Sequence, residues 1–288
     1  MSWRTVVVSS RCKLEYKLGY MICRGEKTKK IHLSEISSLI IETPAVALTA
    51  VLVSELVKNK INIVFCDEKH NPSSQILPFY GCHDCSGKIK NQLVWTDDIK
   101  SEVWAQIVKY KILQQASLML LAGSSRAEML FEYISQVQSG DISNREGHAA
   151  KVYFNDVFGQ EFSRSDNCFI NSALNYGYAL LLSAFNREIV LCGYDTRLGL
   201  FHRNEFNYFN LSSDLMEPFR PIIDRMVYEL HGTEFCHEHK RIMQNVFNIK
   251  VKIAGKERTV NDAVSEYVKS VFDALNQCDV SLIKNYEL

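Results

Sequence analysis

Three stretches of the chain place acidic or imidazole side chains against otherwise apolar patterns. In Arg145-Glu146-Gly147-His148-Ala149-Ala150-Lys151-Val152-Tyr153-Phe154, Glu146 shares one helical stripe with Ala149, Ala150, Tyr153 and Val157. A carboxylate therefore stands on a face that should turn inward. Glu146 also closes Ser143-Asn144-Arg145-Glu146, a capping box in which it would only accept a backbone N–H. Spacing leaves both readings open. His202 follows the apolar run Leu198-Gly199-Leu200-Phe201, a setting that suits a hydrogen-bonded core imidazole or a ligand. Asp214 and Glu217 stand at i, i+3 in Asp214-Leu215-Met216-Glu217-Pro218-Phe219-Arg220-Pro221, beside an apolar stripe of Leu215, Phe219, Ile222 and Met226. Carboxylates so close repel unless a cation sits between them, and Arg220 or a metal could serve.

A second chemical signal is Cys82-His83-Asp84-Cys85, with Cys236-His237-Glu238-His239 far downstream. Thiolate and imidazole are zinc ligands, but the spacings are incomplete as a finger pattern. The competing reading is a surface loop. The nine cysteines form no regular framework, which fits free thiols in a reducing compartment.

The elements that must position these residues fall into two parts. Thr5–Val8 is β-branched, and Leu14, Tyr16, Leu18, Tyr20 and Ile22 alternate with Glu15, Lys17, Gly19 and Met21. Ile31–Leu33, Ser38–Ile41 and Ile61–Cys66 add strands. Thr43-Pro44 predicts one helix running to about Lys58. Residues 1–67 thus predict a β-rich, sandwich-like domain carrying one helix, and the polar, Pro-containing 68–81 reads as a linker. Beyond it, 82–288 shifts to a helical period. Thr96-Asp97-Asp98 caps a long helix with Ile99, Val103, Ile107 and Tyr110 on one stripe. Ser125-Arg126-Ala127-Glu128 opens another as a capping box, and helical patterns recur at 144–158, 167–186, 213–230 and 259–277. A basic hairpin interrupts them at 249–260.

With 33 basic and 33 acidic residues the net charge is zero, so a nucleic-acid partner needs a local patch. Lys240, Arg241, Lys250, Lys252, Lys256 and Arg258 are the candidates, against the alternative of a solvated hairpin face. Apolar runs are far short of the roughly 20 residues that span a bilayer, and the start does not resemble a signal peptide. A cytoplasmic protein is expected.

The order Glu146–Phe154, then Asn175-Tyr176-Gly177-Tyr178-Ala179-Leu180-Leu181, then Gly199–His202, then Asp214–Pro221 closely resembles the CRISPR spacer-acquisition integrases, the larger of the two universal adaptation proteins. The resemblance spans essentially the whole chain. The opening MSWRTVVVSSRCKLEYKLGYMI is most similar to variants that accompany single-protein RNA-guided effector nucleases. The resemblance implies a β-rich dimerisation domain joined to a helical catalytic domain. It implies metal ligands at Glu146, His202 and Glu217, with Asp214 supporting, although relatives leave open which of Asp214 and Glu217 binds directly. The metal would be Mg2+ or Mn2+, supporting attack of a captured fragment's 3′-OH on a repeat phosphodiester. Implied partners are double-stranded DNA, a second copy of the chain, a small companion adaptation protein and the effector nuclease. Arg220, Asn175 and Tyr178 would stand near the DNA or behind the ligands, with a helix–helix contact as the alternative for Asn175 and Tyr178. Two readings compete with integration: a structure-selective DNA nuclease using water, and a non-catalytic DNA-bridging scaffold.

Overall fold

In the computed structural model, residues 4–79 and 81–287 are described. The period-two run near the start does not continue as one strand. Leu18 and Gly19 both take positive φ, 50° and 83°, as a two-residue hairpin turn requires. The chain reverses there between β2 (Cys12–Lys17) and β3 (Tyr20–Arg24). With β4 (Thr28–His32) and β6 (Val46–Leu48) these form one sheet in the order β4-β3-β2-β6. A second sheet runs β1 (Arg4–Val8), β5 (Ile36–Ile41), β7 (Asn62–Cys66), β8 (Pro72–Ile76).

Two expectations change here. Thr43-Pro44 does not open a helix: Val46–Leu48 pairs in parallel with Cys12–Leu14, and Thr49 caps α1 (Ala50–Lys58) by accepting from Leu52 N. The segment 68–81 is not only a linker, because β8 lies in it and pairs antiparallel to β7. Pro72 is tolerated at the start of this edge strand. Tyr80, in the same segment, lies outside the described residues.

Every residue of β5 is buried, because both faces of its sheet are covered. Leu39, Ile41 and Ile63 join Leu14, Met21, Leu52 and Leu56 in the core between the two sheets and α1. Ile40 and Val64, one residue out of phase, belong to the core of the helical part. Hydrogen bonds fix this second contact: Asn62 donates to Ser183 Oγ (3.0 Å) and Arg187 to the Ser37 carbonyl (3.1 Å).

The helical part contains α2 (Cys85–Val94), α3 (Asp97–Leu121), α4 (Ala127–Gln136), α5 (Arg145–Phe158), α6 (Phe169–Leu191), α7 (Asn210–Leu215), α8 (Arg220–Tyr228), α9 (His237–Met243) and α10 (Val260–Gln277). Between α9 and α10 lies the hairpin β9 (Lys250–Ile253) and β10 (Lys256–Thr259), and β11 (Tyr286–Glu287) pairs with β9. Thr96 caps α3 as expected, accepting from Ile99 N at 3.4 Å. The capping box expected at Ser125 is absent: Ser124 Oγ accepts from Arg126 N, and Arg126 at the N-cap makes no side-chain cap. α3 is the central strut, packed against α4, α5, α8 and α10. Among the described residues no helix is long and apolar enough to cross a membrane.

Candidate active site

The centre of the site is a cation that the sequence reading did not single out. Lys111 lies on the buried stripe of α3 with Trp104, Ile107 and Val108. Its Nζ is 2.6 Å from Glu146 Oε1 and 2.5 Å from Glu217 Oε2. Burial opposes the charge on Lys111, yet Glu217 and Glu146 outweigh it and raise the pKa above the usual lysine value. The signal was the position itself: a lysine four residues after Ile107 on an apolar face needs buried counter-charges.

Glu146 reaches this point because α5 is capped by other residues. Asp141 accepts from the backbone N–H of Arg145 and Glu146, each at 2.9 Å. Asn144, at φ 50°, accepts from Gly147 N at 3.2 Å. The capping-box reading of Glu146 is therefore corrected: its carboxylate points to Lys111.

Glu217 opens the short 3-10 turn Glu217–Phe219 between α7 and α8. Its Oε1 accepts from Arg220 Nε at 2.9 Å. Its Oε2 is buried against the Lys111 ammonium. Burial alone would raise this carboxyl, but Arg220 and then Lys111 hold it below the usual carboxylate range. Arg220 in turn lies over the Tyr178 ring, 4.6 Å from its centroid. The hydroxyls of Tyr178 and Tyr153 both donate to the buried Asp224, Tyr153 at 2.8 Å. Burial pushes Asp224 up to about 6 against the pull of these two bonds.

His202 is held by a different carboxylate. The turn Gly199–His202 wraps around Asp214, whose oxygens accept from the N–H groups of Leu200 (2.6 Å), Phe201 (3.0 Å) and His202 (3.2 Å). His202 Nδ1 bonds to the same carboxylate. Only glycine fits at 199, since a Cβ there would stand 2.4 Å from the His202 carbonyl and 2.8 Å from Asp214 Oδ2. Phe201 stacks on Trp104 at 4.5 Å, and the His202 ring meets Trp104 edge-on. The bond to Asp214 raises His202 above the ordinary imidazole value, against burial. From α2, Gln92 grips the preceding loop, donating to the carbonyls of Asp195 and Leu198 and accepting from Asp195 N. His202 borders a cleft of about 570 Å³ lined also by Lys100, Arg197, Arg203 and Tyr208.

The structure thus brings Glu146 and Glu217 onto one ammonium and pairs His202 with Asp214. Among the described residues it gathers no three His, Cys, Asp or Glu side chains into a metal-ligand cluster, neither Glu146, His202 and Glu217 nor the two Cys/His segments. The donor types suit a cation position: two carboxylates and an imidazole. The Lys111 ammonium bridges Glu146 and Glu217, and the Asp214 bond at Nδ1 leaves Nε2 of His202 as its second nitrogen. Asp214 itself has both oxygens engaged by the turn.

Two of the candidate DNA contacts are corrected by burial. Tyr178 is buried on Asp224, and Lys240 is buried with its ammonium on the Lys69 carbonyl. Arg220 is committed to Glu217. Asn175 is exposed and accepts from Arg164 at 2.8 Å. Arg241, Lys250, Lys252 and Lys256 are exposed and Arg258 is partly so. Lys250 and Lys252 lie near Glu257 and Glu287, which dilute the patch. Cys82 and Cys85 stand at the head of α2, where a loop was the alternative to zinc.

Residues 6–250 match the family described as CRISPR associated protein Cas1. The chain is 38% identical over 233 residues to a CRISPR-associated endonuclease Cas1 of Neisseria meningitidis, covering 80% of this chain and 77% of that one. It is 28% identical over 244 residues to one from Pyrobaculum aerophilum, covering 75% and 78%. Among solved structures, a casposase bound to integration product superposes with a TM-score of 0.76 at 18% identity, over 98% of this chain and 93% of that one. A Cas1 protein from Thermotoga maritima gives 0.74 at 17% identity, over 94% and 97%. A Cas6-RT-Cas1–Cas2 complex gives 0.72 at 16% identity, over 97% of this chain and 36% of the matched one.

Proposed function

This chain belongs to the Cas1 family of CRISPR-associated proteins, and from that premise we propose that it is a metal-dependent integrase that inserts short captured DNA into a CRISPR repeat. The observation that carries the reading is the convergence of Glu146 and Glu217, from separate helical elements, on one cation position. The residues assigned as ligands are Glu146, Glu217 and Nε2 of His202, with Asp214 as the group that orients the imidazole. Mg2+ or Mn2+ held there would supply Lewis acidity for the attacking hydroxyl and offset charge on the phosphate.

The chain's own groups perform the rest. Asp214 fixes the ring of His202 through Nδ1, and Arg220 fixes Glu217 through Oε1. Lys111 neutralises the two carboxylates and keeps them together. Lys100, Arg197 and Arg203 line the cleft, Lys100 and Arg203 paired with Asp97 and Arg197 with Asp195, and a phosphate backbone would have to draw them from these carboxylates. The 3′-oxygen of the captured DNA forms a new bond to phosphorus as the repeat's own 3′-oxygen leaves. One phosphodiester replaces another and no covalent enzyme intermediate is required.

The solved complex that carries Cas2 with Cas1 supports a small companion protein as partner, and we assign a homodimer as the unit that it bridges. The test is integration of a fluorescent duplex into a supercoiled plasmid carrying a CRISPR repeat, with metal and chelator arms. Joined product with metal and none with chelator is expected. Nicking without joining would favour a nuclease that uses water, and equal product in both arms would refute metal dependence.

A further inference from the structure

We propose that Cys82 and Cys85 are an exchange-active dithiol that low-molecular-weight disulfides convert reversibly to an intramolecular disulfide. Their sulfurs are already in contact, Sγ to Sγ 3.4 Å, between Cys82 in the turn before α2 and Cys85 at its first residue. Both side chains are part-exposed, whereas Cys12 and Cys66 are buried. Cys85 Sγ accepts from Cys82 N–H at 3.4 Å and its thiol reaches the Cys82 carbonyl at 2.9 Å. The two sulfurs differ in character. The Cys82 backbone N–H lowers the Cys85 thiol, while burial and then the Asp84 and Cys85 contacts push Cys82 up to about 11. One sulfur suited to attack and one suited to resolve is what exchange requires.

The step balances as follows. The Cys85 thiolate attacks one sulfur of the oxidant disulfide, giving a mixed disulfide and releasing one thiolate. Cys82 then loses its proton to solvent and attacks Cys85 Sγ, releasing the second thiolate. One small disulfide becomes two thiols, and two protein thiols become one disulfide.

The surroundings say where the change goes. Closing the contact to a bond of about 2.0 Å tightens residues 82–85 by more than an ångström. Gly81 and Gly193 abut this segment so closely that an added Cβ would stand 1.7 Å from the Val190 carbonyl and 2.4 Å from Cys82 Sγ. The segment is thus packed tightly against the C-terminal end of α6, and α2 is the element that continues directly from it. The far end of α2 carries Gln92, which holds Asp195 and Leu198 on the way to His202.

The experiment uses the full-length native protein, oxidised with glutathione disulfide, alkylated and mapped by mass spectrometry, with hydrogen exchange on the same samples. Pairing of Cys82 with Cys85 is expected roughly tenfold or more faster than modification of the exposed Cys236 and Cys278. It should reverse with dithiothreitol. Cys82→Ser should stall with one glutathione on Cys85, which separates exchange from loss of folding. Faster exchange across 195–198 is expected on oxidation. Cys82 and Cys85 still alkylated while Cys236 is modified, or stoichiometric zinc protecting the pair, overturns the proposal; unchanged exchange at 195–198 overturns its link to the His202 loop.

Discussion

His202 and Asp214 form one unit: the carboxylate that bonds Nδ1 of the imidazole is the same one around which the backbone of Leu200, Phe201 and His202 is folded. Asp214 is fully buried, so the turn and the ring share a single anchor. Asp214→Asn removes the charge but keeps one acceptor oxygen. It should lower strand transfer about 10–100-fold, the usual cost of losing a group that orients a ligand, with the chain still folded. Asp214→Ala should in addition lower the melting temperature, because three N–H groups lose their acceptor. Full strand transfer by Asp214→Asn would show that the imidazole needs no such anchor.

Lys111 makes a prediction about stability without metal. Lys111→Met leaves Glu146 and Glu217 facing each other in a buried site, and breaking such a pair costs about 3–5 kcal/mol. In chelator the variant should melt well below the wild type. Added Mn2+ should raise its melting temperature by more than that of the wild type, since a metal replaces the lost cation. Equal Mn2+ responses in the two proteins would remove Lys111 from the cation site.

The sequence disclosed most where local signals decide the outcome. Thr96 capped the long helix as its position said, and the hairpin of β9 and β10 fell within the basic interruption read at 249–260. It disclosed least where distant pairing decides. Thr43-Pro44 reads as a helix start, yet Val46–Leu48 is drawn into a strand by Cys12–Leu14, more than 30 residues earlier. Likewise Glu146 fits a capping box in sequence, but Asp141 takes that role and frees it for Lys111 on another helix. The separate roles of Asp214 and Glu217 could not be read from i, i+3 spacing. They emerge only because α7 ends between them, sending one to the His202 turn and the other to α3.

Asp224 gives a pH dependence with a definite sign. Its folded-state value of about 6 lies above the ordinary aspartate value near 3.9. The folded chain therefore holds this proton more tightly, so stability is lost as pH rises from about 4 through about 6, by an amount on the order of 3 kcal/mol. Asp224→Asn, which keeps an acceptor for Tyr153 or Tyr178, should flatten that decline. Melting curves at closely spaced pH values test this, and parallel declines in the two proteins would exclude Asp224 as their source.

The central claim, that Glu146, Glu217 and His202 hold one divalent metal, is tested most directly by titrating Mn2+ into the full-length protein and counting bound ions by electron paramagnetic resonance. One Mn2+ per chain is expected for the wild type, with affinity reduced about tenfold or more by Glu146→Gln, Glu217→Gln and His202→Ala alike. Wild-type binding by all three variants, or no bound Mn2+ in the wild type, would contradict it.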